Sequence, residues 1–262
     1  MKRWGSVMNG CDVWPQEFVN GVYSHAIAQQ RWPELGLRDQ AAVQLWERCQ
    51  GFLPPVRPRA ELLRVRRSAW FDERCLTQLQ AYPCSRFISI GAGLSTRFHR
   101  LSQASDWPQF RWWELEGAEG ARVKRHCFPV MDNYALIEVS EGQLAAELSA
   151  LLAADPEPAV VLVEGPAAAM SEAQWQQLTV ICEAAHCRVD LVFDCLPRMG
   201  RWRARCLSAL MLAGLYSQVR FTCSIQLPTP GWQVIQQARL GSRLHSRLLG
   251  GWYGVHLRNT RS

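Results

Sequence analysis

The stretch FISIGAGLSTRF, residues 87–98, sets an apolar run against two glycines, Gly91 and Gly93 around Ala92, and then turns abruptly to Ser95, Thr96 and Arg97. Glycines at the end of a strand let a ligand come up against bare backbone, and in an open α/β sheet this is the place where ligands bind. A dinucleotide fingerprint would read GxGxxG; here Thr96 takes the third glycine's place, so the motif alone leaves a simple tight turn equally open. Three acids then fall at matched positions. Glu116 closes FRWWELE, Glu138 lies at the end of YALIEV, and Glu164 follows AVVLV ahead of Gly165. A carboxylate at the end of the second strand is placed to accept charge-assisted hydrogen bonds from a ribose diol. Three strand-end acids beside a glycine turn favour a nucleoside ligand over coincidence.

These residues need a scaffold to bring them together. Short β-rich runs at 86–91, 110–116, 134–139, 159–164 and 189–196 alternate with helical patterns at 117–127, 141–154 and 171–185. Such alternation predicts βαβ units and a mainly parallel sheet. VRFTCSIQL (219–227) and WYGVHLRN (252–259) have no long helix after them and predict a closing antiparallel pair. Upstream, residues 16–50 read as helical, with apolar positions such as Phe18, Val22, Leu45 and Trp46, until LPPVRPR breaks the pattern at 53–59. A second helix is predicted from Ala60 to about Gln80. The expected organisation is an N-terminal helical extension or cap, 1–80, and an α/β ligand-binding domain, 81–262, in one compact unit.

Composition narrows the function classes. Of the 262 residues 48% are hydrophobic and 20% charged, which excludes a disordered chain and allows a packed core. The N-terminus has two basic residues but no apolar core of a leader, and no run approaches the ~18 apolar residues of a membrane span. A cytoplasmic protein is expected, with no membrane partner. Ten cysteines without a CxxC pair read as reduced thiols. Cys182 and His186 in CEAAHC lie four apart, but zinc needs four ligands and no second pair stands at suitable spacing, so no metal is expected. The net charge of +6 comes largely from arginine clusters at 57–67 and 198–205. Such a surface attracts anions without choosing among them. Nucleic acid as a partner rests on that charge and on 12 tryptophans alone, and is the weaker reading beside a small anionic substrate.

The motifs together carry a resemblance. GAGLSTRFHRL, the stretch from WELEG to Lys124, and VEG resemble the leucine carboxyl methyltransferase family, which includes bacterial O-methyltransferases of polyketide biosynthesis. The family's text is GAGLDTRxxRL, an acid eight residues before a lysine, and an EG after the fourth strand; here Glu116 stands eight before Lys124. RRSAWFDE (66–73) is similar to its Arg-Thr segment with a following Asp, and RDQAA (38–42) to its Asp-Pro-x-Ala segment. The resemblance covers roughly residues 20–200. It implies a class I, Rossmann-like methyltransferase fold and S-adenosyl-L-methionine as cofactor. On that basis Arg67, with Arg66 as rival, would hold the methionine carboxylate. Gly91, Ala92 and Gly93 would face the cofactor, Glu116 would take the ribose diol, Glu138 with Val139 the adenine, and Glu164 the methionine ammonium.

Two departures bear on the acceptor. The family's Asp after GAGL is Ser95 here, and its EGxxxYL is EGPAAAM, which puts Ala169 where an aromatic is expected. The cofactor positions are better kept than the substrate positions, which implies an altered substrate or lost catalysis. The first leads to an O-methyltransferase acting on a small-molecule carboxylate, a step of secondary metabolism; the second leads to a non-catalytic cofactor- or nucleoside-binding protein. A carboxylate is already ionised at neutral pH, so no catalytic base is required and the work is alignment. His25 and His99 are the nearest candidate bases and read as structural residues. Arg31 and Arg198, with Ala169, are the expected substrate contacts.

Overall fold

In the computed structural model, residues 14–49, 61–103, 109–129, 131–140, 142–165, 170–195, 231–240 and 253–260 are described. The helical N-terminal region is built in pieces. Helix α1 (Gln16–Ala26) and the single turn α2 (Ala28–Arg31) are followed by a 3-10 turn (Pro33–Leu35) and helix α3 (Gln40–Cys49). The continuous helical reading of 16–50 is thus corrected. Pro33 lacks an N–H and pushes Trp32 out of helical geometry (φ −140°, ψ 62°), and Gly36 then turns the chain at φ +68°. Helix α4 (Glu61–Ala81) is long, and Val65, Ser68, Phe71, Asp72, Cys75 and Gln78 recur at helical spacing on its buried side. That stripe mixes apolar and polar groups, and Ser68 and Asp72 among them reach the site described below.

The sheet follows: β1 (Arg86–Ile90), α5 (Arg97–Ser102), β2 (Arg111–Glu116), α6 (Ala118–Cys127), β3 (Tyr134–Glu138), α7 (Leu144–Ala153), β4 (Ala159–Val163), α8 (Glu172–Ala184), β5 (Val189–Cys195), β6 (Trp232–Arg239) and β7 (Tyr253–Asn259). Seven strands lie in the order β3-β2-β1-β4-β5-β7-β6. The first five are parallel and β7 runs antiparallel to both β5 and β6. This is the Rossmann-like class I methyltransferase arrangement.

Every residue of β1 and β4 is buried, as a parallel strand covered on both faces requires. Side chains alternate between two cores. Ile88, Ile90, Val161 and Val163 pack on the side of α7 and α8, whereas Phe87, Val160 and Leu162 pack on the side of α4 and α5. Each such side chain contributes on the order of 1.5–3 kcal/mol by leaving water. Arg86, at the start of β1, is also buried, and its guanidinium donates to the carbonyls of Leu151, Asp155 and Glu157. It thereby ties the α7–β4 turn to the sheet.

The closing antiparallel pair is present, with a different first member among the described residues. Strand β7 matches the expected 252–259, and its outer partner is Trp232–Arg239, which the sequence reading missed; 219–227 lies outside the described residues. Strand β6 is an edge strand with Gln233, Val234, Ile235, Gln237 and Arg239 exposed, and its register shifts between Val234 and Gln236. A strand with so little buried on either face carries only a faint period-two signal.

Candidate active site

The order of the sheet reverses between β1 and β4, and the loops at their carboxyl ends form the crevice where open α/β sheets bind ligands. The glycine turn lies there. Gly91 and Gly93 have φ of +59° and +55°, a conformation that costs other residues about 1–2 kcal/mol. Gly91 N–H extends the β1–β2 ladder to Leu115 O at 2.9 Å, and Ser95 N–H closes the turn on Ala92 O at 3.1 Å. A side chain at Gly93 would also collide with Phe18 of α1, since a Cβ there would lie 2.8 Å from the ring. The bare backbone is therefore demanded by a neighbour as well as by the turn.

Glu116 at the end of β2 reaches back to this loop. Its Oε2 accepts Gly93 N–H at 2.7 Å, and its Oε1 accepts Gly117 N–H at 3.1 Å. Gly120 in α6 leaves it room, because a Cβ there would fall 2.6 Å from the Glu116 carboxyl carbon. Burial raises the Glu116 pKa above the usual range, against the pull of Lys124 and the backbone donors. Lys124, eight residues after Glu116, is not hydrogen-bonded to it. Its ammonium pairs with Glu114, two residues earlier on the same face of β2. Glu114 is buried and also accepts Tyr134 Oη at 2.8 Å and Trp112 Nε1 at 3.1 Å. It was missed; a charge at an interior strand position was the signal for it.

Glu164 follows β4 and is met from two sides. Its Oε1 accepts Arg67 Nε at 3.0 Å and Ser68 Oγ at 2.9 Å, both from α4, while its Oε2 accepts Arg97 Nη2 from α5. Burial alone would raise its pKa, but the Arg97 and Arg67 guanidinia hold the carboxyl well below the usual range. Arg67 Nη1 also lies 3.6 Å from Asp194 at the end of β5, and Asp194 Oδ1 accepts Gly165 N–H at 2.6 Å. Of the two rival arginines, it is Arg67 that meets Glu164.

Beneath the glycine turn lies a buried ionic network. Asp72 accepts Arg97 Nε at 2.7 Å and Arg100 Nε at 2.6 Å. Asp39 caps α3 by accepting Ala42 N–H at 2.9 Å, and it also takes Thr96 Oγ1 and Arg100 Nη1. His25 Nδ1 stands 3.4 Å from the same carboxylate. The Asp39 pKa is pushed far down: burial opposes this, and Arg100 and His25 outweigh it. Among the described residues, the Ser95 hydroxyl makes a local bond, accepting Arg97 N–H at 3.4 Å.

The remaining expected residues are more dispersed. Glu138 is exposed and paired with Arg125 at 2.8 Å, while Val139 donates its N–H to Glu116 O at 2.9 Å and packs on the core. Arg31 is half-exposed and donates to Glu61 at 3.0 Å, and among the described residues no bond joins it to the cluster above. Ala169 and Arg198 lie outside the described residues. His99 is stacked on Phe128, with its pKa lowered by burial. Among the described residues, no three His, Cys, Asp or Glu side chains gather as metal ligands, and no helix is long and apolar enough to cross a membrane.

No known family profile matches the chain, and no curated protein matches it by sequence. Solved structures match it by shape. A DUF574 family protein from Streptomyces avermitilis superimposes with a TM-score of 0.56 at 11% identity, over 92% of this chain and 97% of that one. A proposed methyltransferase from Thermobifida fusca YX gives a TM-score of 0.52 at 12% identity, over 97% of each chain. At such identities the likeness establishes the fold that the strand order already displays.

Proposed function

We propose that the chain is an S-adenosylmethionine-dependent O-methyltransferase of the leucine carboxyl methyltransferase kind, acting on a small-molecule carboxylate. One observation carries this reading. Arg67 and Glu164, a cation and an anion in direct contact, lie at the carboxyl end of β4, beside the Gly91–Gly93 turn and its Glu116 partner. An amino acid terminus is itself a paired anion and cation, so it can replace the Arg67–Glu164 contact by two contacts of the same chemistry. The donor set therefore fits the cofactor. Arg67 would hold its carboxylate, Glu164 its ammonium, Glu116 its ribose, and Glu138 with Val139 its adenine. The use of this fold by methyltransferase-assigned proteins such as the Thermobifida fusca one supports the reading.

When bound, the cofactor supplies a methyl carbon on a positively charged sulfur, which a carboxylate oxygen can take while sulfur keeps the bonding electrons. The protein's own part is then to hold and orient. Arg97, locked by Asp72, and Arg67 keep the Glu164 carboxylate ionised and fixed in direction, while Arg100 ties Asp72 to Asp39 behind them. No proton needs to move in ester formation, which agrees with His25 being turned to Asp39 and His99 being stacked. Residues 1–80 are read as a cap on the 81–262 unit, the enzyme as cytoplasmic, and Arg31, Ala169 and Arg198 as acceptor contacts in secondary metabolism. Calorimetry with S-adenosylmethionine and S-adenosylhomocysteine tests the reading, and failure of both to bind rejects it. Binding without methyl transfer from labelled cofactor to any acid in an extract of the source cell would instead favour a non-catalytic binder.

A further inference from the structure

Two chains of bonds start at Asp39 and end at different parts of the crevice. Asp39 stands just before α3 in the N-terminal helical segment and is 2% exposed. Its Oδ1 accepts Ala42 N–H, while its Oδ2 accepts Thr96 Oγ1 and Arg100 Nη1. The first chain is short. Thr96 follows Gly93 by three residues in the glycine turn and holds the N-cap position of α5, yet its hydroxyl makes no capping bond. A threonine there ordinarily caps its helix. This one donates to Asp39 instead, and so ties the turn, with the Gly93 N–H that Glu116 accepts, to the start of α3. The second chain is longer. Arg100 grips Asp72 through Nε at 2.6 Å and Nη2 at 3.0 Å, Asp72 accepts Arg97 Nε at 2.7 Å, and Arg97 Nη2 reaches Glu164 Oε2. Asp39, Arg100, Asp72 and Arg97 are all buried, and charges held by two partners in a dry interior have little freedom to turn.

We propose that Asp39 is a positioning residue that sets the separation between the two ends of the cofactor site, the glycine turn with Glu116 at one end and the Glu164 carboxylate at the other. This rests on the cofactor reading above. The consequence is selectivity for a ligand that joins a nucleoside to an amino acid terminus. Only such a ligand engages both ends at once, and it gains from the second contact only while the ends stand at the matching separation. A ligand confined to the nucleoside end moves with the glycine turn and does not depend on where Glu164 lies.

The test compares S-adenosylhomocysteine with methylthioadenosine, which keeps the nucleoside and the sulfur but has no amino acid terminus, by calorimetry on the full chain. In Asp39→Asn the affinity for S-adenosylhomocysteine is expected to fall about tenfold or more while that for methylthioadenosine stays within about threefold, so the ratio of the two collapses. Thr96→Val removes only the hydroxyl that links the turn to Asp39. It should lower the ratio in the same direction, and it carries the comparison if Asp39→Asn does not fold. Thr96→Ser keeps the hydroxyl and should keep the parent's ratio. A ratio that does not fall in Asp39→Asn, or in Thr96→Val where that variant stands in, overturns the inference, whether both ligands bind as before or both weaken alike, because Asp39 would then only hold the fold. A parent that binds S-adenosylhomocysteine but no methylthioadenosine overturns it too, since the nucleoside end would then be no subsite of its own. If the parent binds neither S-adenosylmethionine nor S-adenosylhomocysteine, the cofactor reading itself fails and this inference falls with it.

Discussion

Arg67 donates to Glu164 at 3.0 Å, so two residues proposed for the opposite charges of one amino acid terminus are bonded to each other across 97 positions of chain. Each keeps a second partner. Arg67 has Asp194 and Glu164 has Arg97, which lets the pair open without leaving either charge alone. Arg67→Lys keeps the positive charge but loses the planar fork that serves two carboxylates at once. The variant should bind S-adenosylmethionine about tenfold more weakly or worse, a loss of roughly 1.5–3 kcal/mol. Arg66→Lys should leave affinity within experimental error, and the reverse pattern would move the assignment by one residue.

Acid should undo the same cluster. Glu164 and Asp39 both have folded pKa values below their ordinary ones, so each adds stability that is fully present above the unfolded value and is lost as pH falls toward the folded one. Chemical denaturation of the parent should show stability dropping from about pH 4–5 downward. In Glu164→Gln that slope should be shallower and the neutral-pH stability lower by about 1.5–3 kcal/mol, because Arg67 and Arg97 keep Asp194 and Asp72 but lose a charged acceptor. A variant with the parent's acid slope would mean that Glu164 is not what titrates.

Glu116 should behave in the opposite sense. Its folded pKa is raised by burial, so the ionised form weakens the fold at neutral pH, and that cost is relieved as pH falls through the raised value. Glu116→Gln keeps one acceptor for Gly93 N–H and removes the charge. Thermal stability at pH 7 should hold or rise while cofactor affinity falls by ~1.5–3 kcal/mol. Joint loss of both would make Glu116 a structural residue only.

How far the site could be read in advance follows from where each residue's signal lies. Glu116 and Glu164 were visible because a strand's end is marked locally, by an apolar run followed by glycine. Asp39 and Asp72 belong to segments noticed only through resemblance, since their partners Arg97 and Arg100 are 25 to 61 positions away and nothing local announces an ion pair at that range. The parallel strands were legible from short β-rich runs alternating with helical patterns, AVVLV of β4 being wholly apolar, whereas β6 exposes most of its side chains and so had no buried face to reveal. Phe18 read as one more core aromatic on a helix. Its contact with Gly93 is a product of how α1 lies on the sheet, which no spacing within α1 encodes.

That contact gives a prediction of its own. Gly93→Ala places a Cβ at a φ of +55° and 2.8 Å from the Phe18 ring, adding backbone strain to a clash. Left-handed strain alone is worth about 1–2 kcal/mol, and the clash adds to it. Phe18→Ala should relieve the second part and not the first. A double-mutant cycle measured by denaturation should therefore show favourable coupling of about 1 kcal/mol between the substitutions. Strict additivity would mean that the ring moves aside freely.

Lys124 decides between two partners that sequence spacing cannot separate. Glu116 is the acid eight residues before it, yet its ammonium rests on Glu114, where both groups are almost wholly buried. Removing one member of such a pair strands the other charge in the interior, at a cost of about 3–5 kcal/mol, whereas removing both charges together avoids that penalty. Lys124→Met should accordingly destabilise strongly, and adding Glu114→Gln should restore a large part of the loss, since the amide can still accept from Trp112 or Tyr134. Adding Glu116→Gln to Lys124→Met should restore much less, because Glu116 feels Lys124 only through its field while its own oxygens bond Gly93 and Gly117. Unfolding free energies of the three single and two double variants give both coupling energies. If the larger one falls on Glu116, the lysine serves the acid proposed for the ribose directly and the eight-residue spacing carries function after all; if it falls on Glu114, Lys124 braces β2 from behind and reaches the site only by holding that strand in place.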